Sequence, residues 1–151
     1  MNDKIFIDFD DTICLHSHRI SSRHFITSPP EYIAKKAYEE SMLNKKLYDW
    51  LLHKQEDPNS KAVVYVMSSA SSFMLEAKKI WVSEHCPGLN VLDYIGVSVD
   101  VDKTSVLEAY RKVFPREMKM YYIEDSFSER AKSEKTLEGV IIRSPQWIDN
   151  L

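Results

Sequence analysis

The residues with types and spacing suited to chemistry stand where apolar runs give way to polar ones. In Ile5-Phe-Ile-Asp8-Phe-Asp10-Asp11-Thr12 an apolar run passes directly into carboxylates. Crowded carboxylates repel one another unless a cation or a shared proton compensates. In open α/β sheets, ligands bind outside the carboxyl ends of the strands, so acids at that point have a use. Taken alone, the segment reads equally well as a strand ending in a solvated Asp-Asp turn. Three further junctions change the balance. Val66-Met67 runs into Ser68-Ser69, Tyr121-Tyr122-Ile123 runs into Glu124-Asp125-Ser126 with Glu129 just beyond, and Asp100-Val-Asp102 leads into Lys103. Singly, the serines are turn residues or caps, Lys103 is a solvated lysine at a helix start, and the acids cap a helix. Together, in this order and at strand ends, they point to one site that handles an anion with carboxylates, hydroxyls and a cation.

The elements that must position these residues follow from apolar periodicity. Residues 4–9, 62–67, 94–99, 118–123 and 140–143 are β-branched or aromatic runs and are expected as strands, 62–67 as one buried on both faces. Helical stripes lie between them. Leu43, Leu47, Trp50 and Leu51 form one, and Phe73, Met74, Ala77, Ile80 and Trp81 another. Val106, Leu107, Tyr110, Val113 and Phe114 form a third, and all three are read as core faces. The alternation predicts a doubly wound, three-layer, Rossmann-like α/β domain with a parallel sheet of about five strands. Residues 1–151 are expected to form one such domain. Residues 16–42 break the alternation and are expected as a small cap-like insertion of loop and helix, with a helix over 31–42 and Pro30 at its first position.

The order of the four junctions resembles the haloacid-dehalogenase (HAD) superfamily, in particular its phosphatases. Asp8-Phe-Asp10-Asp11-Thr12 is similar to the family's DxDx[TV] motif, Ser68 to its lone Ser or Thr, Lys103 to its lysine, and Glu124-Asp125 with Glu129 to its acidic fourth motif. The resemblance implies a strand order that brings Asp8, Ser68 and Asp125 to one crevice. It implies Asp8 as nucleophile through an aspartyl-phosphate and Asp10 as general acid and base. Mg²⁺ is implied as cofactor, with Asp8, Asp10 and Asp125 around it and Glu124 or Glu129 as a further acidic partner. Ser68, Ser69 and Lys103 would hold the phosphoryl oxygens, and Thr12 would support the loop. An acid two residues after the nucleophile favours phosphate-ester hydrolysis or phosphoryl transfer over carbon–halogen cleavage. A phosphotransferase or mutase acting on a small sugar phosphate, and a catalytically silent phosphate-binding protein, are alternatives on the same scaffold. A receiver-type signalling domain is excluded by spacing, because Asp100 and Asp102 run straight into Lys103.

Residues 12–30 contain no acid but carry Arg19 and Arg23 with His16, His18 and His24. Such a bias suits a second phosphate, a nucleotide or a phosphorylated nucleic-acid end; a solvated loop is the plainer alternative. A net charge of −3 over 151 residues excludes a general nucleic-acid or membrane-surface binder. No obligate protein partner is evident. Cys14 and Cys86 lack paired spacing and read as reduced thiols. With acids at the N-terminus and no long apolar run, the expected location is cytoplasmic and away from membranes.

Overall fold

A strand covered on both faces has to be apolar along its whole length. Ile5, Phe6 and Ile7 meet that demand and have no solvent exposure. The computed structural model describes residues 2–15, 28–98 and 100–151. In chain order its elements are β1 (Lys4–Ile7), β2 (Cys14–Leu15), α1 (Pro30–Ala37), β3 (Met42–Leu43), α2 (Lys45–Glu56), β4 (Val63–Ser68) and α3 (Ser72–His85). There follow β5 (Val91–Gly96), α4 (Lys103–Val113), β6 (Met120–Ile123), α5 (Phe127–Thr136), β7 (Val140–Arg143) and a 3-10 helix, Pro145–Asn150. The main sheet is parallel with order β5-β4-β1-β6-β7.

Strand alternation sorts the side chains into two layers. Ile5, Ile7 and Phe9 pack with Val64, Val66, Leu47, Leu51, Met74 and Trp81, beneath α1, α2 and α3. Phe6 faces the other way, against Tyr65, Met67, Tyr122 and Leu107, beneath α4 and α5. The result is the doubly wound, three-layer α/β architecture expected from the alternation. Because β1 lies between β4 and β6, its exit is flanked by the exits of both neighbours, and that placement builds the site.

Three expectations need correction. The strand expected over 94–99 is β5, and it covers 91–96 instead. It is an edge strand, where Leu92 is 67% exposed and Asp93 interrupts the apolar run, so hydrophobicity is a poor guide there. Val99 lies outside the described residues. The helix expected over 31–42 stops at Ala37, and Met42–Leu43 instead pairs antiparallel with Cys14–Leu15. This short ribbon brings both ends of the 16–42 segment together beside the exit of β1. Asn44 fastens it there, donating from Nδ2 to the Thr12 carbonyl at 2.9 Å while its Oδ1 caps α2 by accepting from Leu47 N. The stripe on α4 is also narrower than expected, since Val113 is 80% exposed.

Trp81 joins the core to this ribbon region. Its ring meets Phe9 edge-on at 5.4 Å, and its indole N–H donates to Ser41 Oγ at 3.1 Å. Trp81→Ala is expected to cost ~3–5 kcal/mol, since the lost contacts and the cavity add. Urea unfolding measures it, and a loss below about 1 kcal/mol, the scale of a surface change, would show that the site collapses around the gap. Among the described residues, no helix is long and apolar enough to cross a membrane.

Candidate active site

β1 remains in the ladder through Asp8, whose N–H donates to the Ile123 carbonyl at 3.0 Å. The chain then turns sharply. Thr12 N and Cys14 N both donate to the Phe9 carbonyl, and Asp11 takes a left-handed φ of 58°, a conformation Asp tolerates better than most residues. Phe9 is wedged edge-on between Tyr38 and Trp81 and has no exposure, so the turn is anchored from below while Asp8 and Asp10 stay at its upper rim.

Lys103 is the first residue of α4, where the Asp102 side chain caps the helix by accepting from Thr104 N. Its ammonium stands 3.0 Å from Asp8 Oδ1 and 2.8 Å from Glu124 Oε1, and all three side chains are buried. Glu124 follows β6 and also accepts from the Tyr122 hydroxyl at 2.9 Å and from Ser126 N at 3.4 Å. Its carboxylate is thus committed to holding Lys103. Thr12 has no exposure and donates from Oγ1 to Asp8 Oδ2 at 3.4 Å.

One ammonium between two buried carboxylates leaves a net negative charge in a poorly solvated place. Burial pushes the Asp8 carboxyl up to about 8, with Glu124 adding to the rise and Lys103 opposing it. Burial acts on Glu124 in the same direction, but Lys103 and the hydrogen bonds from Asp8, Lys103 and Tyr122 outweigh it and lower that carboxyl. The two carboxyls are thus shifted in opposite directions, Asp8 up and Glu124 down.

Ser68 is the last residue of β4, and only 1% of its surface is exposed. Its neighbour Ser69, the first residue past the strand, is exposed, so one serine faces inward and the other solvent. Asp125 is exposed, and its carboxyl is raised by partial burial and by the charges of Asp11 and Glu124, against Arg130. Arg130 donates to the Glu124 and Asp125 carbonyls at 2.7 and 2.6 Å, fixing the loop between β6 and α5. Glu129 lies in the first turn of α5, its N–H donating to the capping Ser126 hydroxyl, and its Oε2 is buried without a hydrogen-bond partner. Arg19 and Arg23, with His16, His18 and His24, lie outside the described residues.

Lys78 is the residue that motif reading missed. It projects from α3 to put its ammonium 2.6 Å from Ser68 Oγ and 2.9 Å from Asp10 Oδ2. A signal for it exists: positions 74, 77, 78 and 81 share one helical face, and Lys78 is the one cation among apolar residues there.

Oxygen ligands stand around the exit of β1, as Mg²⁺ requires. No three His, Cys, Asp or Glu side chains come together at metal-binding spacing among the described residues. That is compatible with Mg²⁺, which takes one or two carboxylates and completes its octahedron with water and substrate oxygens. In the ligand set that the resemblance implies, Asp8 and Asp125 would supply two such carboxylates and Asp10 a backbone carbonyl. Glu129 Oε2, buried in the first turn of α5 without a hydrogen-bond partner, is an acceptor that the water shell of a cation would satisfy. The residues present fit the ion.

No family model matches the chain, and no curated protein matches it. Among solved structures, the chain is similar to the HAD domain of effector protein Lem4 from Legionella pneumophila. The TM-score is 0.54 at 15% identity, over 95% of this chain and 84% of that one. With its parallel β5-β4-β1-β6-β7 sheet between two helical layers, the chain has the haloacid-dehalogenase-like α/β fold.

Proposed function

We propose that this protein is a Mg²⁺-dependent phosphomonoesterase working through an aspartyl-phosphate on Asp8. The observation that carries this reading is the buried Lys103 ammonium held between Asp8 and Glu124, at the carboxyl ends of adjacent parallel strands. A carboxylate at such a point is costly unless it has a task. An ammonium so held has a fixed direction and retains one N–H for a phosphoryl oxygen, since each lysine has three donors.

In the proposed reaction a carboxylate oxygen of Asp8 bonds to phosphorus as the bond to the ester oxygen breaks. Asp10 gives its proton to that leaving oxygen. It then takes a proton from the water that attacks phosphorus and releases Asp8 and inorganic phosphate. Ser68 and Lys103 hold the phosphoryl oxygens through both displacements. When bound, Mg²⁺ neutralises charge between the Asp8 carboxylate and the phosphate. The substrate class we propose is a phosphorylated small molecule, nucleotide or nucleic-acid end. Its support is the acid-free run of residues 12–30 with Arg19 and Arg23, which follows directly on the Asp8–Asp11 acids in the sequence.

The test is phosphate release with Mg²⁺ from nucleotides, sugar phosphates, phosphopeptides and end-phosphorylated oligonucleotides. No release from any of them would remove the reading, and transfer to added alcohols outrunning hydrolysis would convert it to phosphotransfer. Activity is expected to vanish with a chelator. Glu129→Ala should raise the half-saturating Mg²⁺ concentration ~10-fold, the low end for an outer partner, and Asp125→Ala should raise it further. The reverse ranking would assign the metal to Glu129.

A further inference from the structure

We infer that Lys78 is a positioning residue for this reaction, acting through Ser68 and Asp10; the inference rests on the phosphoesterase reading above. Lys78 is 3% exposed and sits on the α3 face that carries Met74, Ala77, Trp81 and Val82. Its ammonium lies over the Phe9 ring, 5.2 Å from the centroid. Packing alone asks for Leu or Met at such a position, and a buried ammonium is costly unless its bonds are good. They are: 2.6 Å to Ser68 Oγ and 2.9 Å to Asp10 Oδ2. These partners come from the exits of β4 and β1, so one side chain joins two strand ends that carry separate functions.

The direction of these bonds has chemical consequences. An ammonium donates and accepts nothing. In the bond to Ser68 the serine oxygen must therefore be the acceptor, and the serine's own proton is turned away from Lys78. That leaves Ser68 as a donor, the role a phosphoryl oxygen needs from it. In the bond to Asp10, Oδ2 is occupied and the carboxylate plane is fixed, so Oδ1 is the oxygen left to exchange a proton with the leaving group. Asp10 side-chain atoms are 41% exposed against 4% for Lys78, so the carboxylate is held from inside while its other edge meets the incoming ester. Lys103 performs the corresponding task for Asp8, and the site thus has two buried lysines, each governing one catalytic carboxylate.

The test is a pair of double-mutant cycles with Lys78→Met, which keeps length and apolar bulk while removing the ammonium. On an alkyl phosphate, Lys78→Met should lower kcat by ~10²-fold, the scale of a misplaced catalytic group, with KM little changed. The loss on an activated nitrophenyl ester should be much smaller. Its thermal midpoint should fall only slightly, since the Asp10 carboxylate left without its ion pair is part exposed and is solvated instead. In an Asp10→Asn background the same change should add almost nothing to the loss on the alkyl phosphate. Additive losses, or a rise in KM at constant kcat, would overturn the inference, the latter by making Lys78 a direct phosphate ligand. An arm without turnover uses tungstate as an inert phosphate mimic, followed by calorimetry. Lys78→Met should weaken tungstate binding ~10-fold, one good hydrogen bond's worth, and have no further effect once Ser68→Ala is present. Equal tungstate affinity in wild type and Lys78→Met, or no tungstate binding by wild type, overturns the inference. If wild type hydrolyses no ester but the tungstate cycle behaves as expected, the phosphatase reading falls and the control of Ser68 by Lys78 stands.

Discussion

Asp8→Asn is expected to abolish phosphate release while making the metal-free protein more stable above neutral pH. The first effect should reach ~10⁴-fold or more, as for other deletions of a nucleophile, because an amide neither attacks phosphorus nor holds a cation well. The second follows from linkage. Unfolded, the Asp8 carboxyl titrates near 3.8; folded, near 8. Between those values the native protein holds a proton that the unfolded chain has released. The stability this provides is full below the lower value and is lost as pH rises through the upper one. Asp125, also raised, acts in the same sense, whereas Glu124 is lowered and its contribution is lost only on acidification. Lys103 is raised and keeps its contribution throughout this range. The amide variant leaves Lys103 with one carboxylate, Glu124, and a balanced pair of charges. Thermal melts without metal should therefore separate at about pH 8, the variant higher, and converge towards about pH 5. Adding Mg²⁺ at the higher pH should raise the wild-type midpoint and leave the variant nearly unmoved. A variant that turns over substrate removes the covalent mechanism, and one that melts below wild type at pH 8 removes the strained Asp8–Lys103–Glu124 arrangement.

Asp10→Asn should lower kcat by ~10²–10⁴-fold on alkyl phosphates, the usual worth of general acid–base assistance. The backbone carbonyl of residue 10 is kept, so Mg²⁺ dependence should hardly change. An activated nitrophenyl ester leaves without needing a proton, and on it the loss should be far smaller. The geometry sharpens this expectation. Asp10 is fixed from one side by Lys78 at 2.9 Å, so an amide side chain there keeps its position by accepting through its carbonyl oxygen and loses only the proton. Equal losses on the two substrates would count against Asp10 as the proton donor. A lost metal response would mean that the carboxylate itself binds the ion.

Much of the fold and part of the site can be read from local runs. Residues 5–7 must be a buried strand because they are apolar without interruption, and Asp8 must lie at its exit because the run ends there. The helical stripe of α3 and the turn into Ser68 are visible in the same way. The edge strand β5 is not, because it is covered on one side only and its sequence lacks a continuous apolar run. Nor is the β2–β3 ribbon, whose two-residue strands pair Cys14 with Leu43 and Leu15 with Met42 across the 16–42 segment.

Within the site, residue types and their order along the chain marked Asp8, Asp10, Ser68, Lys103 and Glu124-Asp125 as one group. Direction was decided only by tertiary structure. Ser68 points inward and Ser69 to solvent; Glu124 serves Lys103 while Asp125 stays open. Lys78 reaches Asp10 across 68 positions of sequence. A run of residues specifies which faces are apolar, since burial is set by local periodicity. Which polar atom meets which is settled by the parallel order β4-β1-β6, because those strand exits are adjacent in space and far apart in the chain.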